Sequence, residues 1–299
     1  MPDSECSGFV ALVGRPNVGK STLLNRLVGQ KLSITSRRPQ TTRHRILGIK
    51  TAGATQTIYI DTPGIHEGGG TLMNRTLNRA ARASLAGVDC VVLLIAAPRW
   101  TNEDEPVLAL LKDLHCPVIL AINKIDKVKD RSRLLALIEA ARVKMDFAEI
   151  IPLSARSGLN VADLEASIAR YLPVHPAFYP ADQLSDRGER FQAAELVREQ
   201  IFRGFGQELP YATAVEIEEF KREPKLIRIE AVIWVEKAGQ KAIVIGRGGE
   251  RLKEVGQRAR LEMQKLFASK VYLRLWVKIR AGWSDDARAL RSLGYTEET

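Results

Sequence analysis

The stretch Gly14-Arg15-Pro16-Asn17-Val18-Gly19-Lys20-Ser21 decides the reading of this chain. It follows a short apolar run, Phe9 to Val13, and opens a helix-forming segment, so it occupies a strand-to-helix turn. A glycine, four residues and then Gly-Lys-Ser let backbone N–H groups wrap a diphosphate, while the following helix adds the positive end of its dipole. In that arrangement Lys20 reaches the β/γ-phosphates and Ser21 reaches Mg²⁺, and Thr22 belongs to the same nucleotide-binding turn.

Apolar, strand-like runs recur at Phe9 to Val13, Ile46 to Ile49, Thr57 to Ile60, Val88 to Ile95, Val118 to Ile122 and Glu149 to Pro152. Segments with helical periodicity separate most of them: Lys20 to Val28, Met73 to Leu85, Asp104 to Asp113, Arg131 to Lys144 and Val161 to Tyr171. Strand alternating with helix at this spacing implies an α/β fold with a doubly wound, mostly parallel sheet, whose ligands bind beyond the carboxyl ends of the strands. Three further signals lie at such ends. Asp61-Thr62-Pro63-Gly64 follows the strand Thr57 to Ile60, where Asp61 can hold Mg²⁺ through its water and Gly64 can donate to a γ-phosphate. Asn123-Lys124-Ile125-Asp126 follows Val118 to Ile122, and the Asp126 carboxylate can accept from both N1–H and the 2-amino group of guanine, donors that adenine lacks in that arrangement. Ser154-Ala155 follows the strand ending at Pro152 and suits a backbone contact to guanine O6.

The order of these four signals resembles that of the translation-factor-related GTPases, which implies GTP/GDP as ligand, Mg²⁺ as cofactor and GTP hydrolysis as activity. The polar, basic stretch Ser33 to Ile46, with Gln40-Thr41-Thr42-Arg43, looks like their first switch. The resemblance makes Thr42 the hydroxyl that closes on Mg²⁺ and γ-phosphate, with Thr41 the alternative. Metal ligation is thus expected from Ser21, Thr42 and Asp61, and catalysis from Lys20, Asn17, Thr42 and Gly64. After Gly64 stands Ile65, which has no polar atom with which to orient attacking water. That residue, counted here with the nucleotide-facing turn, and Asn17 inside the phosphate loop resemble the bacterial branch containing Era, EngA and TrmE. Some members of that branch use K⁺ held by the asparagine.

The chain has 299 residues, enough for about two domains, with 45% hydrophobic and 27% charged residues, ordinary for a soluble globular protein. No apolar run approaches the ~20 residues needed to span a bilayer, and Met1 to Ser7 lacks the marks of a secretory signal, so a cytoplasmic location is expected. Cys6, Cys90 and Cys116 are odd in number and far apart, and read as free thiols. The net charge of +10 is uneven. Residues 11 to 50 carry nine Lys/Arg and no acid, and residues 221 to 280 carry sixteen against six, which implies two anion-facing surfaces.

The second basic zone lies beyond Leu172 to Pro180, a run with three prolines in nine residues that reads as a stiff connector. Glu189 to Phe202 then reads helical, Ala212 to Phe220 and Leu226 to Val235 as strands, Leu252 to Phe267 as helix and Val271 to Ile279 as a last strand, in the order α, β, β, α, α, β. Val244-Ile245-Gly246-Arg247-Gly248-Gly249 has the Gly-x-x-Gly form that KH domains use to clamp a nucleic-acid backbone. This element order is that of a smaller, α+β, type II KH domain. Ile245, Gly246, Arg247, Gly248, Gly249 and Lys253 are the residues expected to meet RNA. The boundaries are a GTPase domain at 1–172, a linker at 173–185, a KH domain at 186–280 and a tail at 281–299.

Together with the terminal run containing Trp276-Val277-Lys278 and Gly282-Trp283-Ser284-Asp285-Asp286, these features resemble the Era family over nearly the whole chain. The resemblance implies a monomeric GTP-dependent switch that binds the 3′ end of small-subunit (16S) ribosomal RNA and assists maturation of the 30S subunit. Members also associate peripherally with the inner membrane, although no amphipathic anchor or lipidation motif marks this chain. Ile65 leaves room for a second reading, an RNA-binding module whose nucleotide turns over poorly, and membrane association for a third, a membrane-associated regulatory GTPase.

Overall fold

A computed structural model describes residues 5–36, 38–39, 41–64, 71–206 and 208–295. The chain divides into two compact units, one of residues up to 69 with Leu77–Asp186, the other of residues 70–76 with Arg187 onward.

In the first unit a six-stranded sheet runs in the order β2-β3-β1-β4-β5-β6. Its strands are β1 (Cys6–Val13), β2 (Ile46–Ala52), β3 (Thr55–Asp61), β4 (Cys90–Ala96), β5 (Val118–Asn123) and β6 (Glu149–Pro152). All neighbours pair in parallel except β2 and β3, which form an antiparallel hairpin. Helices α1 (Lys20–Val28), α2 (Leu72–Ala83), α3 (Glu105–Leu111), α4 (Arg131–Arg142) and α5 (Val161–Ala169) connect them. Cys90–Ala96 and Val118–Asn123 are buried at every position. A parallel strand covered by helices on both faces has no solvated side, which is why these sequences read as unbroken apolar runs. The chain builds β3 and β2 on one side of β1 and β4 to β6 on the other. The carboxyl end of β1 is therefore a topological switch point, and the first glycine-rich turn leaves the sheet there.

The hairpin departs from the expected pattern. The Ile46 run continues through Lys50, Thr51 and Ala52, pairing back on Thr57, Gln56 and Thr55. Edge position explains the miss, because a strand with one neighbour tolerates polar residues that end an apolar run. Proline-rich residues beyond Leu172 lie along this unit. Ser7 N donates to Pro173 O (3.1 Å), His175 N to Glu5 O (3.0 Å) and Ile49 N to Leu184 O (2.9 Å). The buried Gln56 amide accepts from Phe178 N (2.8 Å) and Tyr179 N (2.9 Å) and donates to Tyr179 O (2.8 Å). Ser185 Oγ donates to Leu47 O (2.7 Å), and Leu47 N to Asp186 Oδ1 (3.0 Å).

The second unit follows the expected order: α6 (Glu189–Gly204), β7 (Thr213–Glu223), β8 (Leu226–Val235), α7 (Ala238–Ile245), α8 (Glu250–Leu266) and β9 (Val271–Ile279). β8 is central, antiparallel to β7 and parallel to β9. Ile227, Ile229, Ala231, Ile233 and Val235 alternate onto one face and meet Leu196, Val197 and Ile201 of α6 and Val255, Ala259 and Met263 of α8 in a single core. Residues past β9 add a 3₁₀ turn at Trp283–Asp285 and α9 (Ala287–Ser292), with Asp286 Oδ1 accepting from Arg288 N (2.8 Å) as the helix cap. Trp283 is fully buried, donates Nε1–H to Ala212 O (3.2 Å) and stacks on Tyr295 (centroids 5.9 Å apart). Removing this ring leaves a cavity and an unpaired carbonyl, so Trp283→Ala should cost about 3–5 kcal/mol. Urea unfolding monitored by circular dichroism checks this, and a loss below about 1 kcal/mol would mean the tail packs more loosely than described.

Candidate active site and nucleic-acid interface

The turn between β1 and α1 closes on itself through Lys20. Its amine, almost fully buried, donates to Gly14 O (2.8 Å) and Arg15 O (3.1 Å). Burial holds the Lys20 pKa down at about 8, opposed by the nearby Asp61 carboxylate and assisted by Arg15. Gly19 adopts φ of 111°, and a Cβ there would lie 2.3 Å from Asn123 Nδ2, so both conformation and space require glycine. That amide comes close because Asn123 Nδ2 donates to Val18 O (2.7 Å) while its Oδ1 accepts from Lys124 N (2.7 Å) and Ala155 N (2.9 Å). Lys124 is left-handed (φ 66°) and its amine donates to Asn17 O. Ser154 Oγ donates to Asp126 Oδ1 (2.7 Å), holding that carboxylate in place.

These turns enclose a cavity of about 400 Å³. Pro16, Asn17, Gly19, Lys20, Ser21 and Thr22 line it from the first turn, Thr41, Thr42 and Gly64 from the next two, and Asn123, Lys124, Asp126 and Ala155 from the far side. The other expected residues support the wall. Val18 packs in the core, and the Thr62 hydroxyl donates to Leu12 O (3.1 Å). The Arg15 side chain turns away and pairs with Asp104 (3.0 Å) and Glu103 (3.6 Å). Pro63 is buried behind the turn, and Ile125 opens a 3₁₀ turn at Ile125–Lys127. Ile65 lies outside the described residues. Sequence reasoning missed Thr35, Ser36, Arg38, Lys127 and Arg156, which also line the cavity. Lys127 and Arg156 directly follow recognised motifs, so their position was the available signal.

Hard oxygen donors converge beneath Lys20. Ser21 Oγ lies 2.8 Å from Thr42 Oγ1 and donates to Asp61 Oδ2 (3.0 Å), which also takes bonds from Ser33 Oγ (2.9 Å) and Thr42 Oγ1 (3.4 Å). Asp61 Oδ1 is buried with no hydrogen-bond partner among the described residues. Burial pushes the Asp61 carboxyl above the usual range, against the pull of Lys20 and the three hydroxyls. Two hydroxyls and a carboxylate with one oxygen unsatisfied suit a small divalent cation such as Mg²⁺, which takes oxygen ligands from one or two side chains and the rest from phosphate and water. Thr41 differs from Thr42, its hydroxyl donating to Arg38 O (2.8 Å).

In the second unit α7 ends at Ile245, and residues Gly246 to Gly249 turn into α8. Gly246 (φ 74°) faces Arg251, whose Cγ would lie 2.8 Å from an added Cβ. Arg247 opens the turn and Lys253 is exposed on the first turns of α8. This turn presents backbone and cations to solvent, the arrangement needed to approach phosphates closely.

The fold and these two sites define a P-loop GTPase unit joined to a KH domain. A model of the 50S ribosome-binding GTPase family matches residues 9–124, and a KH domain model matches residues 208–284. The chain is 57% identical to the GTPase Era of Marinobacter nauticus over 296 residues, covering 99% of this chain and 97% of that one. It is 53% identical to the GTPase Era of Pseudomonas aeruginosa over 295 residues, with 99% and 97% coverage. A crystal structure of Era with MgGDPNP and nucleotides 1506–1542 of 16S ribosomal RNA matches with a TM-score of 0.94 at 39% identity, covering 98% of this chain and 99% of that one. An Aquifex aeolicus Era variant bound to GDP·AlF4⁻ matches equally well, with a TM-score of 0.94 at 39% identity and coverage of 98% and 100%. The chain belongs to the Era family of GTPases. Among the described residues no helix is long and apolar enough to cross a membrane.

The Lys20 amine sets a pH dependence. With its pKa held at about 8 against 10.5 for a free lysine, the unfolded chain binds this proton more tightly than the folded one. Between those values the unfolded state carries more of the proton, so the contribution of Lys20 to stability rises with pH across that window and is least favourable below it. Nucleotide-free protein should therefore gain on Lys20→Met by roughly 1–3 kcal/mol from about pH 7 to about pH 10. Parallel urea titrations at the two pH values measure this, and a stability gap unchanged by pH would contradict the depressed amine.

Proposed function

We propose that the protein is a GTP-hydrolysing switch whose second unit holds the unpaired 3′ end region of small-subunit ribosomal RNA, and that this coupling serves 30S maturation. The observation that carries the reading is the Asp126 carboxylate, held by Ser154 at the mouth of a cavity whose opposite wall is the phosphate loop. The relative solved with MgGDPNP and 16S ribosomal RNA supports both ligands.

In this reading GTP lies with its base on Asp126 and Ala155 and its phosphates along Gly14 to Thr22. Lys20, already bonded to two carbonyls of the loop, exchanges them for β/γ-phosphate oxygens and recovers its full charge. Ser21, Thr42 and the water shell of Asp61 hold Mg²⁺, which neutralises the charge developing on the transferred phosphate when bound. Thr42 engages fully only while the γ-phosphate is present, so hydrolysis releases the segment that carries it. Ile65 offers attacking water no polar atom, so the main chain at Thr42 and Gly64 orients it. Asn17, exposed at the rim and tied to Lys124 through its carbonyl, is the proposed holder of K⁺. A phosphate-release assay in K⁺ against Na⁺ tests that last assignment and also decides between a working GTPase and a poorly hydrolysing RNA-binding module.

Two variants test the two halves separately. Asp126→Asn should shift preference from GTP toward xanthosine triphosphate, because the new amide donates to the O2 of xanthine, with GTP affinity falling about 10²-fold or more. Full GTP affinity in that variant would move the base elsewhere. Replacing both Arg247 and Gly248 by Asp changes the charge at the turn by three units. RNA affinity should fall at every salt concentration with a shallower salt dependence, while GTP hydrolysis without RNA persists. Anisotropy with labelled RNA and phosphate release on one preparation read both, and unchanged RNA affinity in the folded double variant would relocate the interface.

A further inference from the structure

Three hydroxyls meet the Asp61 carboxylate, and one of them takes no part in the cavity wall. Ser21 and Thr42 line the cavity, whereas Ser33 does not and is only 1% exposed. The Ser33 hydroxyl donates to Asp61 Oδ2 at 2.9 Å, against 3.0 Å from Ser21 and 3.4 Å from Thr42. Oδ1 of the same carboxylate is buried and has no hydrogen-bond partner among the described residues. A buried carboxylate oxygen left open is matched to something the chain does not supply, since losing water without a replacement is costly. Ser33 therefore occupies one oxygen of Asp61 and leaves the other for a cation or the water bound to it.

The Ser33 main chain is fixed from α1. Asn25 Oδ1 accepts from Leu32 N (2.8 Å) and Ser33 N (2.9 Å), while Asn25 Nδ2 donates to Ser33 O (2.7 Å). Both backbone polar groups of Ser33 are thus held by one side chain of a helix, and the flanking Leu32 and Ile34 are buried. Thr42 lies further along the same segment and, in the reading above, engages fully only while the γ-phosphate is present. On that reading Ser33 precedes the part that is released, so its hold on Asp61 outlasts hydrolysis. A carboxylate turns about its Cβ–Cγ bond unless one oxygen is held, and partners that hold a metal-site carboxylate from behind commonly set metal affinity by about 10- to 100-fold.

We propose that Ser33 is a positioning residue for the Mg²⁺ site: pinned by Asn25, it holds Asp61 Oδ2 so that Oδ1 stays open to the water shell of the cation, with GDP bound as well as with GTP. The proposal rests on the Mg²⁺ and Thr42 assignments above and adds to them a residue that touches neither nucleotide nor cation and acts through Asp61. Ser33→Ala removes the hydroxyl and little else, which separates this role from general support of the phosphate turn.

The test loads full-length parent, Ser33→Ala and Thr42→Ala with mant-GDP or with mant-GDPNP, starts in EDTA and titrates Mg²⁺ while the nucleotide fluorescence is read. In Ser33→Ala the half-saturating Mg²⁺ concentration should rise about 10- to 100-fold with both nucleotides. Thr42→Ala should show such a rise with mant-GDPNP alone. Affinity of Ser33→Ala for mant-GDP in EDTA should stay within about 3-fold of the parent, and in an Asp61→Asn background Ser33→Ala should add less than about 2-fold to the Mg²⁺ requirement. An unchanged Mg²⁺ titration in Ser33→Ala would overturn the proposal, as would a full additional loss on top of Asp61→Asn. So would failure of Ser33→Ala to bind mant-GDP in EDTA, which would make the hydroxyl a support of the whole turn. If nucleotide binding by the parent ignores Mg²⁺, the Mg²⁺ reading falls and this inference with it, an outcome distinguishable from a Mg²⁺-dependent parent that is indifferent to Ser33.

Discussion

One side chain ties the nucleotide site together. Asn123 ends β5, and its amide spans three separate turns by donating to Val18 and accepting from Lys124 and Ala155. Each turn alone is a short surface connection that would sample many conformations, at a backbone cost of about 1–2 kcal/mol per residue fixed. Joined at Asn123, they are ordered at once, and the sheet beneath orders Asn123. This explains the demand at Gly19, where any side chain would occupy the place of the Asn123 amide. Substituting either residue would disturb the Gly14–Ser21 turn and the turn that follows β5 together.

The electrostatics of the site follow from the same closeness. Lys20 and Asp61 are both buried and each is displaced from its ordinary pKa toward its neutral form. Their mutual attraction offsets only part of the desolvation, as expected when charges are taken from water without full pairing. In the proposed reading a triphosphate with a divalent cation would supply what each group lacks, an anion for the amine and a cation for the free carboxylate oxygen. The site is held in an arrangement that the ligand completes, so ligand affinity draws on a cost already met during folding.

The fold was largely legible because its strongest signals are local. Buried parallel strands give unbroken apolar runs, and the turns beginning at Gly14, Asp61 and Asn123 each sit at or next to a strand end. What stayed hidden depends on approach across the fold. Ser33 reaches Asp61 from 28 residues away. α7 is eight residues long and begins Ala-Gly-Gln, too short for periodicity to place its ends. The Arg15 side chain pairs with Asp104, a contact between distant turns that motif spacing does not show.

The proline-rich stretch along the first unit bears on how the sheet meets solvent. β2 is the outermost strand on its side, and its free edge would offer unpaired N–H and C=O groups as a template for strands of other molecules. Leu184, Ser185 and Asp186 occupy that edge through Ile49 N, Leu47 O and Leu47 N. The cover is a single isolated bridge, Gly48 to Ser185, and among the described residues no strand continues the sheet beyond it. The connector is thus a built-in guard against self-association. Truncation at Leu172 would yield a nucleotide-binding fragment with a bare, sticky margin, whereas extension through Asp186 would carry its own shield.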